Sequence, residues 1–185
     1  MKRRTVPSTH IVAVLHNLRS AHNVGSIFRT ADAAGITKLY LCGITPAPID
    51  RFGETRPQLE KVSLGAEKSV PWERARSTGA VLAELKKEGY KIFAVEQAKN
   101  SILYHEACII KHGSKIALVF GNEVRGLPPS ILKRADKVLE IPVRGAMVRQ
   151  AHHPRNTNRG KESLNVSVAF GIVAFAMVEA SERRG

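Results

Sequence analysis

Acidic residues are scarce. Sixteen Asp and Glu face 29 Lys and Arg, leaving a formal charge of +13 and a pI near 10.2. A chain so basic is expected to attract polyanions, nucleic acid or an anionic membrane; a basic but unspecialised surface is the plainer alternative. Cysteine is nearly absent. Cys42 and Cys108 form no CxxC and no Cys/His ligand spacing, which excludes a disulfide framework and a structural zinc site, and no metal is expected. Cys42 sits in an apolar run and reads as a packing residue. Long apolar runs are missing too. LNVSVAFGIVAFAMV (164–178) is shorter than the ~20 residues of a membrane span and contains Asn165 and Ser167, so a buried helix and no membrane are expected. The basic head MKRRTVPSTH is followed by no long apolar run, which argues against a signal peptide and for a cytoplasmic protein. There is no P-loop, no GxGxxG fingerprint, no long repeat and no low-complexity linker. One domain over 1–185, with a basic tail over 1–9, is the expected organisation.

What is present alternates between two hydrophobic periods. HIVAVLH (10–16), KLYLCG (38–43), KIFAVE (91–96), KIALVFG (115–121) and KVLEIP (137–142) read as strands. Val24, Ile27, Phe28, Ala31 and Ala34 recur at helical spacing within 22–34, and Gly35 stops the pattern. Residues 72–90 read as an amphipathic helix ending at Gly89, 128–136 as a short helix, and 163–180 as the last one. Residues 44–72 hold Pro46, Pro48, Pro57 and Pro71, and are expected to be mostly loop with a short helical turn. Such alternation predicts an α/β fold with a parallel sheet and right-handed crossovers. Ligands of such sheets bind outside the carboxyl ends of the strands, here after Leu15, Phe120 and Ile141.

Each of those ends carries polar residues. HNVGSIFRTA follows the first strand; Arg29 on the early turns of a helix suits an anionic ligand, although a capping Asn23 with a surface Arg has the same pattern. GNEVRGLP (121–128) follows the fourth, with Gly121 and Gly126 permitting close backbone approach; Glu123 would accept a hydrogen bond from a ligand or a loop, or else be a solvated turn residue. After the fifth, Ser163 or Asn165 would cap a helix that is apolar almost all round. That helix is expected to pack on the sheet with one face and on a partner subunit with another; full burial in a monomer is the alternative.

Together these blocks resemble the SpoU/TrmH branch of the SPOUT RNA methyltransferases. NVGSIFRTA looks like the first family motif, VFGNEVRGLP the second, and IPV with SLNVSVA the third, in family order from about Val12 to about Val178. The resemblance implies a deep C-terminal trefoil knot, a homodimer, and S-adenosylmethionine held in the knot. It also implies methylation of a ribose 2′-hydroxyl in tRNA or rRNA. By motif match, Arg29, Asn23, Glu123, Ser163 and Asn165 would serve catalysis, with Arg29 reaching the partner subunit's cofactor. The cofactor-binding backbone would include Val119, Phe120, Gly121, Leu139, Ile141, Pro142 and Leu164. A guanidinium stays protonated, so Arg29 is expected to clamp phosphate and stabilise a developing alkoxide rather than act as a base.

Two departures stand out. Some relatives hold rRNA through an extra N-terminal domain without counterpart here, so RNA affinity is expected from the domain itself, with Lys2, Arg3 and Arg4 contributing unless that head is a disordered tail. Relatives also join the Ile-Pro strand to Ser-Leu-Asn in a few residues, whereas this chain takes about twenty, as expected of an insertion over 146–160 flanked by Arg144-Gly145 and Arg159-Gly160. With Arg149, Arg155 and Arg159 and no acid, the insertion is either an RNA-gripping arm or a solvated loop. His152 and His153 alone do not make a metal site. The alternative to an enzyme is an RNA-binding protein on the same scaffold, weak in catalysis because the insertion disturbs the knot.

Overall fold

The computed structural model describes residues 10–108, 113–143 and 163–182. Residues 146–160, expected to be an insertion, and Lys2, Arg3, Arg4, Arg149, Arg155 and Arg159 lie outside them, as do the segment expected to form a knot and the Cys108 side chain.

Among the described residues, seven strands form one sheet in which every pairing is parallel. They are β1 (His10–His16), β2 (Lys38–Cys42), β3 (Trp72–Ala75), β4 (Lys91–Val95), β5 (Ile102–Leu103), β6 (Lys115–Phe120) and β7 (Lys137–Glu140). Their order is β3-β2-β1-β6-β4-β7-β5. The chain moves outward from β1 to β3, then crosses over and inserts β6 beside β1 and β7 beside β4. Loops leaving β1 and β6 therefore diverge, which opens a crevice at their carboxyl ends.

Both faces of the sheet are covered, which explains the unbroken apolar centres of β1 and β6. Ile11, Ala13, Leu15, Leu118 and Phe120 pack on α1 (Ala21–Ala34) and the last helix, α6 (Val166–Glu182). Val12, Val14, Ala117 and Val119 belong to the opposite core, with Val81, Leu82 and Leu85 of α4 (Thr78–Lys87) and Ile131 of α5 (Pro129–Leu132). Phe120 and Phe170 meet at 5.1 Å between ring centroids, seating α6 over the end of β6. Cys42 is fully buried, and burial pushes its thiol up to about 11.

The predicted helix over 72–90 is corrected. Trp72–Ala75 pair in parallel with β2, and the helix starts only after Ser77, whose side chain accepts from the Ala80 N–H. Pro71 and the Ser77 cap bound a strand that periodicity alone merges with the helix. Within 44–72, two short helices appear, α2 (Pro57–Ser63) and α3 (Ala66–Ser69). The Gly25 position explains the close seat of α2 on α1: a Cβ there would lie 2.6 Å from the Leu59 carbonyl oxygen. The strand Ile102–Leu103 and a 3₁₀ turn at Tyr104–Cys108 were not expected from the sequence.

Candidate functional site

The ends of β4, β6 and β7, with the start of α6, enclose a cavity of about 490 Å³. Of the residues singled out from the sequence, Asn23, Phe120, Gly121, Glu123, Leu139, Ile141, Ser163, Leu164 and Asn165 line it. Val119 does not, because its side chain is fully buried in the opposite core. Pro142 is exposed and also stands outside the lining. Arg29 is exposed on α1 and faces a different depression, a groove shared with Arg19, His22 and Lys61.

One chain of hydrogen bonds joins the three strand-end loops. The Ser167 N–H and hydroxyl both donate to Asn165 Oδ1, at 2.8 and 2.7 Å. That fixes the Asn165 amide, whose Nδ2 donates to Asn23 Oδ1 at 3.2 Å. Asn23 Nδ2 in turn donates to Glu123 Oε1 at 3.1 Å. Glu123 also accepts the backbone N–H groups of Arg19 (3.0 Å) and Ser20 (3.1 Å), just ahead of α1. Each amide accepts on one side and donates on the other, so the series runs in one direction from α6 to the carboxylate. Its terminus receives only donors, an environment that favours the ionised form of Glu123. Burial raises the Glu123 pKa, but hydrogen bonds from its own N–H, from Arg19, from Asn23 and from Ser20 outweigh it, and the net shift is downward.

Because the folded-state pKa is depressed, Glu123 contributes stability above the usual carboxylate range and loses it as pH falls through its lowered value. Glu123→Gln is therefore expected to lower stability by about 1 kcal/mol at neutral pH, a charged hydrogen bond discounted for partial exposure. Melting temperatures of the two proteins, measured from neutrality into acid, should converge at low pH. A gap that stays constant would show that the ionised carboxylate does not anchor the network.

The loop after β6 is closed by tight backbone contacts. Asn122 Oδ1 accepts the Val124 and Arg125 N–H groups, both at 3.0 Å, and its Nδ2 donates to the Asn17 carbonyl at 2.6 Å. A Cβ on Gly121 would lie 2.5 Å from the Gly126 carbonyl carbon. Gly126 has φ +64°, a left-handed conformation that favours glycine. Its neighbour Leu127 donates its N–H to Glu96 Oε2 at 2.7 Å, and Gln97 donates to Glu96 Oε1 at 3.0 Å. Sequence reasoning missed Glu96; its signal was a carboxylate directly after the end of a strand, the place where ligands of parallel sheets bind. Glu140 likewise lines the cavity and accepts from the Ser101 hydroxyl at 2.6 Å.

The electrostatic contrast is pronounced. In a chain of net charge +13, the described residues of this cavity include three carboxylates, Glu96, Glu123 and Glu140, and one guanidinium, Arg125. The apolar wall comes from Val95, Leu139 and Ile141. The neighbouring groove holds Arg19, Arg29, His22 and Lys61 and no acid among its described lining. A cationic small ligand suits the first and a polyanion the second. Among the described residues, no group of three His, Cys, Asp or Glu is placed to hold a metal ion, and no helix is long and apolar enough to cross a membrane.

A parallel α/β sheet with a small-molecule cavity at its carboxyl edge defines a broad class of ligand-binding proteins. Within it, the match is specific: residues 10–148 fit the SpoU rRNA Methylase family, and the chain belongs to that family. It is 29% identical to the tRNA (guanosine(18)-2′-O)-methyltransferase of Aquifex aeolicus, over 95% of this chain and 72% of that one. It is 31% identical to the 23S rRNA (guanosine-2′-O-)-methyltransferase RlmB of Blochmanniella floridana, over 91% of this chain but only 57% of that one. The AdoMet-bound rRNA methyltransferase from Sinorhizobium meliloti superposes with a TM-score of 0.72 at 27% identity, covering 92% of this chain and 56% of that one. The chain thus spans little more than half the length of several of its relatives.

Proposed function

We propose that this chain is a cytoplasmic S-adenosylmethionine-dependent methyltransferase that modifies a ribose 2′-hydroxyl in tRNA or rRNA. The observation that carries this is the acid-lined cavity in an otherwise basic chain, set beside an acid-free groove. S-adenosylmethionine is cationic at its sulfonium and amino group, and fits both the carboxylates and the apolar wall. The cavity volume lies within the roughly 300–1,000 Å³ of small-molecule sites. Gly121 and Gly126 keep the backbone close enough for main-chain groups to hold the adenine, with Phe120, Leu139, Ile141 and Leu164 around them. Arg125, the one cation of the described lining, would take the methionyl carboxylate.

Bound there, S-adenosylmethionine supplies an electrophilic methyl group. The residues of the chain do the rest by positioning. Asn165 and Asn23, locked by Ser167 and Glu123, hold the cavity mouth in one geometry. Glu123 is a positioning residue, since its oxygens already receive Arg19, Ser20 and Asn23. Ser163, at the cavity edge, would orient the ribose hydroxyl. Arg29 would clamp the adjacent phosphate and stabilise the alkoxide that develops as the hydroxyl proton passes to solvent water.

Arg29 does not line its own cavity, which supports its serving the site of a partner subunit. Val168 and Phe175 of α6 are 51% and 42% exposed and stand seven residues apart, on one face of the helix, as an apolar face for a second copy would. Val168→Glu is expected to shift the protein to monomer in analytical ultracentrifugation and to lose methyl transfer. A variant that stays dimeric would displace α6 from the interface. The family relation also supports a trefoil knot formed after β7.

Titration calorimetry with S-adenosylmethionine tests the proposal. Saturable heat is expected; none at high protein concentration would sink the enzyme and leave an RNA-binding protein on the same scaffold.

A further inference from the structure

Residues 48–56 form a small hairpin that has no part in the cavity. Ile49 and Thr55 pair in antiparallel fashion, and the Arg56 N–H returns to the Pro48 carbonyl at 2.9 Å. Asp50 organises the tip: its Oδ1 accepts the N–H of Phe52 at 2.7 Å and of Glu54 at 3.1 Å. These bonds hold in place a tip whose most prominent side chain is apolar. Phe52 is 73% exposed, and the Arg51 guanidinium lies 4.6 Å from its ring centroid. Phe52 contributes to neither core, in which it does not appear.

The hairpin runs directly into α2, and α2 supplies Lys61 to the groove that holds Arg19 and Arg29. One continuous stretch of chain therefore joins an exposed aromatic–guanidinium pair to a cluster of cations. Single-stranded RNA matches that combination: its phosphates suit the groove, and an unstacked base suits the ring. We propose that Phe52 is a stacking platform for a base flanking the methylated nucleotide, with Arg51 on one side of the ring and the base on the other, while Arg19 and Lys61 hold the backbone between that base and Arg29. The proposal rests on RNA being the substrate and extends it by naming where a neighbouring base is held.

The test separates base stacking from phosphate binding. Two fluorescein-labelled strands are used, a short oligouridylate and the abasic ribose-phosphate strand of the same length. Phe52→Ala should weaken binding to oligouridylate by about 5- to 150-fold, the range that loss of one base–aromatic stack gives, and leave the abasic strand unaffected. Phe52→Trp should restore the affinity, and its fluorescence should be quenched as oligouridylate is added. Lys61→Ala should lower the salt slope by about 0.7 on both strands. Unchanged affinity of Phe52→Ala for oligouridylate would overturn the proposal, as would equal losses on both strands, which would point to a protein contact or a displaced hairpin. Calorimetry with S-adenosylmethionine on wild type and Phe52→Ala runs in parallel. If neither gives heat, the enzymatic assignment falls while the stacking result stands on its own.

Discussion

Arg29→Ala should lower kcat for methyl transfer by about 10²- to 10³-fold, the effect of losing one preorganised electrostatic group at a developing oxyanion. Cofactor affinity should remain, because Arg29 is exposed on α1 and faces the groove rather than the cavity. The two readouts separate roles: a residue that merely shaped the cavity would change calorimetry as well as turnover. Arg29→Lys should recover only part of the rate, since a point charge replaces the planar fork that grips a phosphate. Near-normal turnover in Arg29→Ala would remove this side chain from the mechanism.

Gly121→Ala should abolish measurable cofactor binding and destabilise the fold by about 1–3 kcal/mol, the usual cost of overpacking. The three atoms nearest the added Cβ are all backbone: the Gly126 carbonyl carbon at 2.5 Å, the Leu127 nitrogen at 2.7 Å and the Gly126 oxygen at 2.9 Å. A flexible side chain could yield, but here the loop itself must open, and with it the Leu127–Glu96 hydrogen bond. Gly79→Ala is the control, because its Cβ would come no nearer than 3.6 Å to the Arg134 side chain, an ordinary contact. Wild-type affinity in Gly121→Ala would mean the cofactor is held elsewhere. Mixing the two variants tests the shared site. Arg29→Ala protomers retain the cavity and Gly121→Ala protomers retain the arginine, so exchange of subunits should restore activity if each site draws on both.

How far the sequence announced this site depends on the range of each contact. β1 and β6 were legible because their apolar runs are short and rich in Ile and Val, and β2 because a short apolar run ends at Gly43. Trp72–Ala75 was not: its strand character lies in pairing with β2, a contact more than thirty residues away, and its residues also satisfy a helical period. Ile102–Leu103 is too short to carry any period. Asn23, Glu123 and Asn165 could be named through the family motifs, but nothing in their spacing shows the hydrogen bonds that bridge 100 and 142 residues of chain. Glu96 carried no motif at all, and Ser167, though inside SLNVSVA, was given no role. Glu96 emerged only when β4 was placed between β6 and β7, and Ser167 only when α6 turned its first polar side chain back onto Asn165.

The most direct measurement is the position of the transferred methyl. Bulk tRNA and rRNA from cells lacking this gene are incubated with the protein and S-adenosylmethionine labelled at the methyl, then hydrolysed in alkali. A 2′-O-methyl ribose cannot attack its own phosphate, so the label should be recovered in a dinucleotide whose linkage survives. Label recovered only in mononucleotides, on the bases, would contradict ribose methylation by this site.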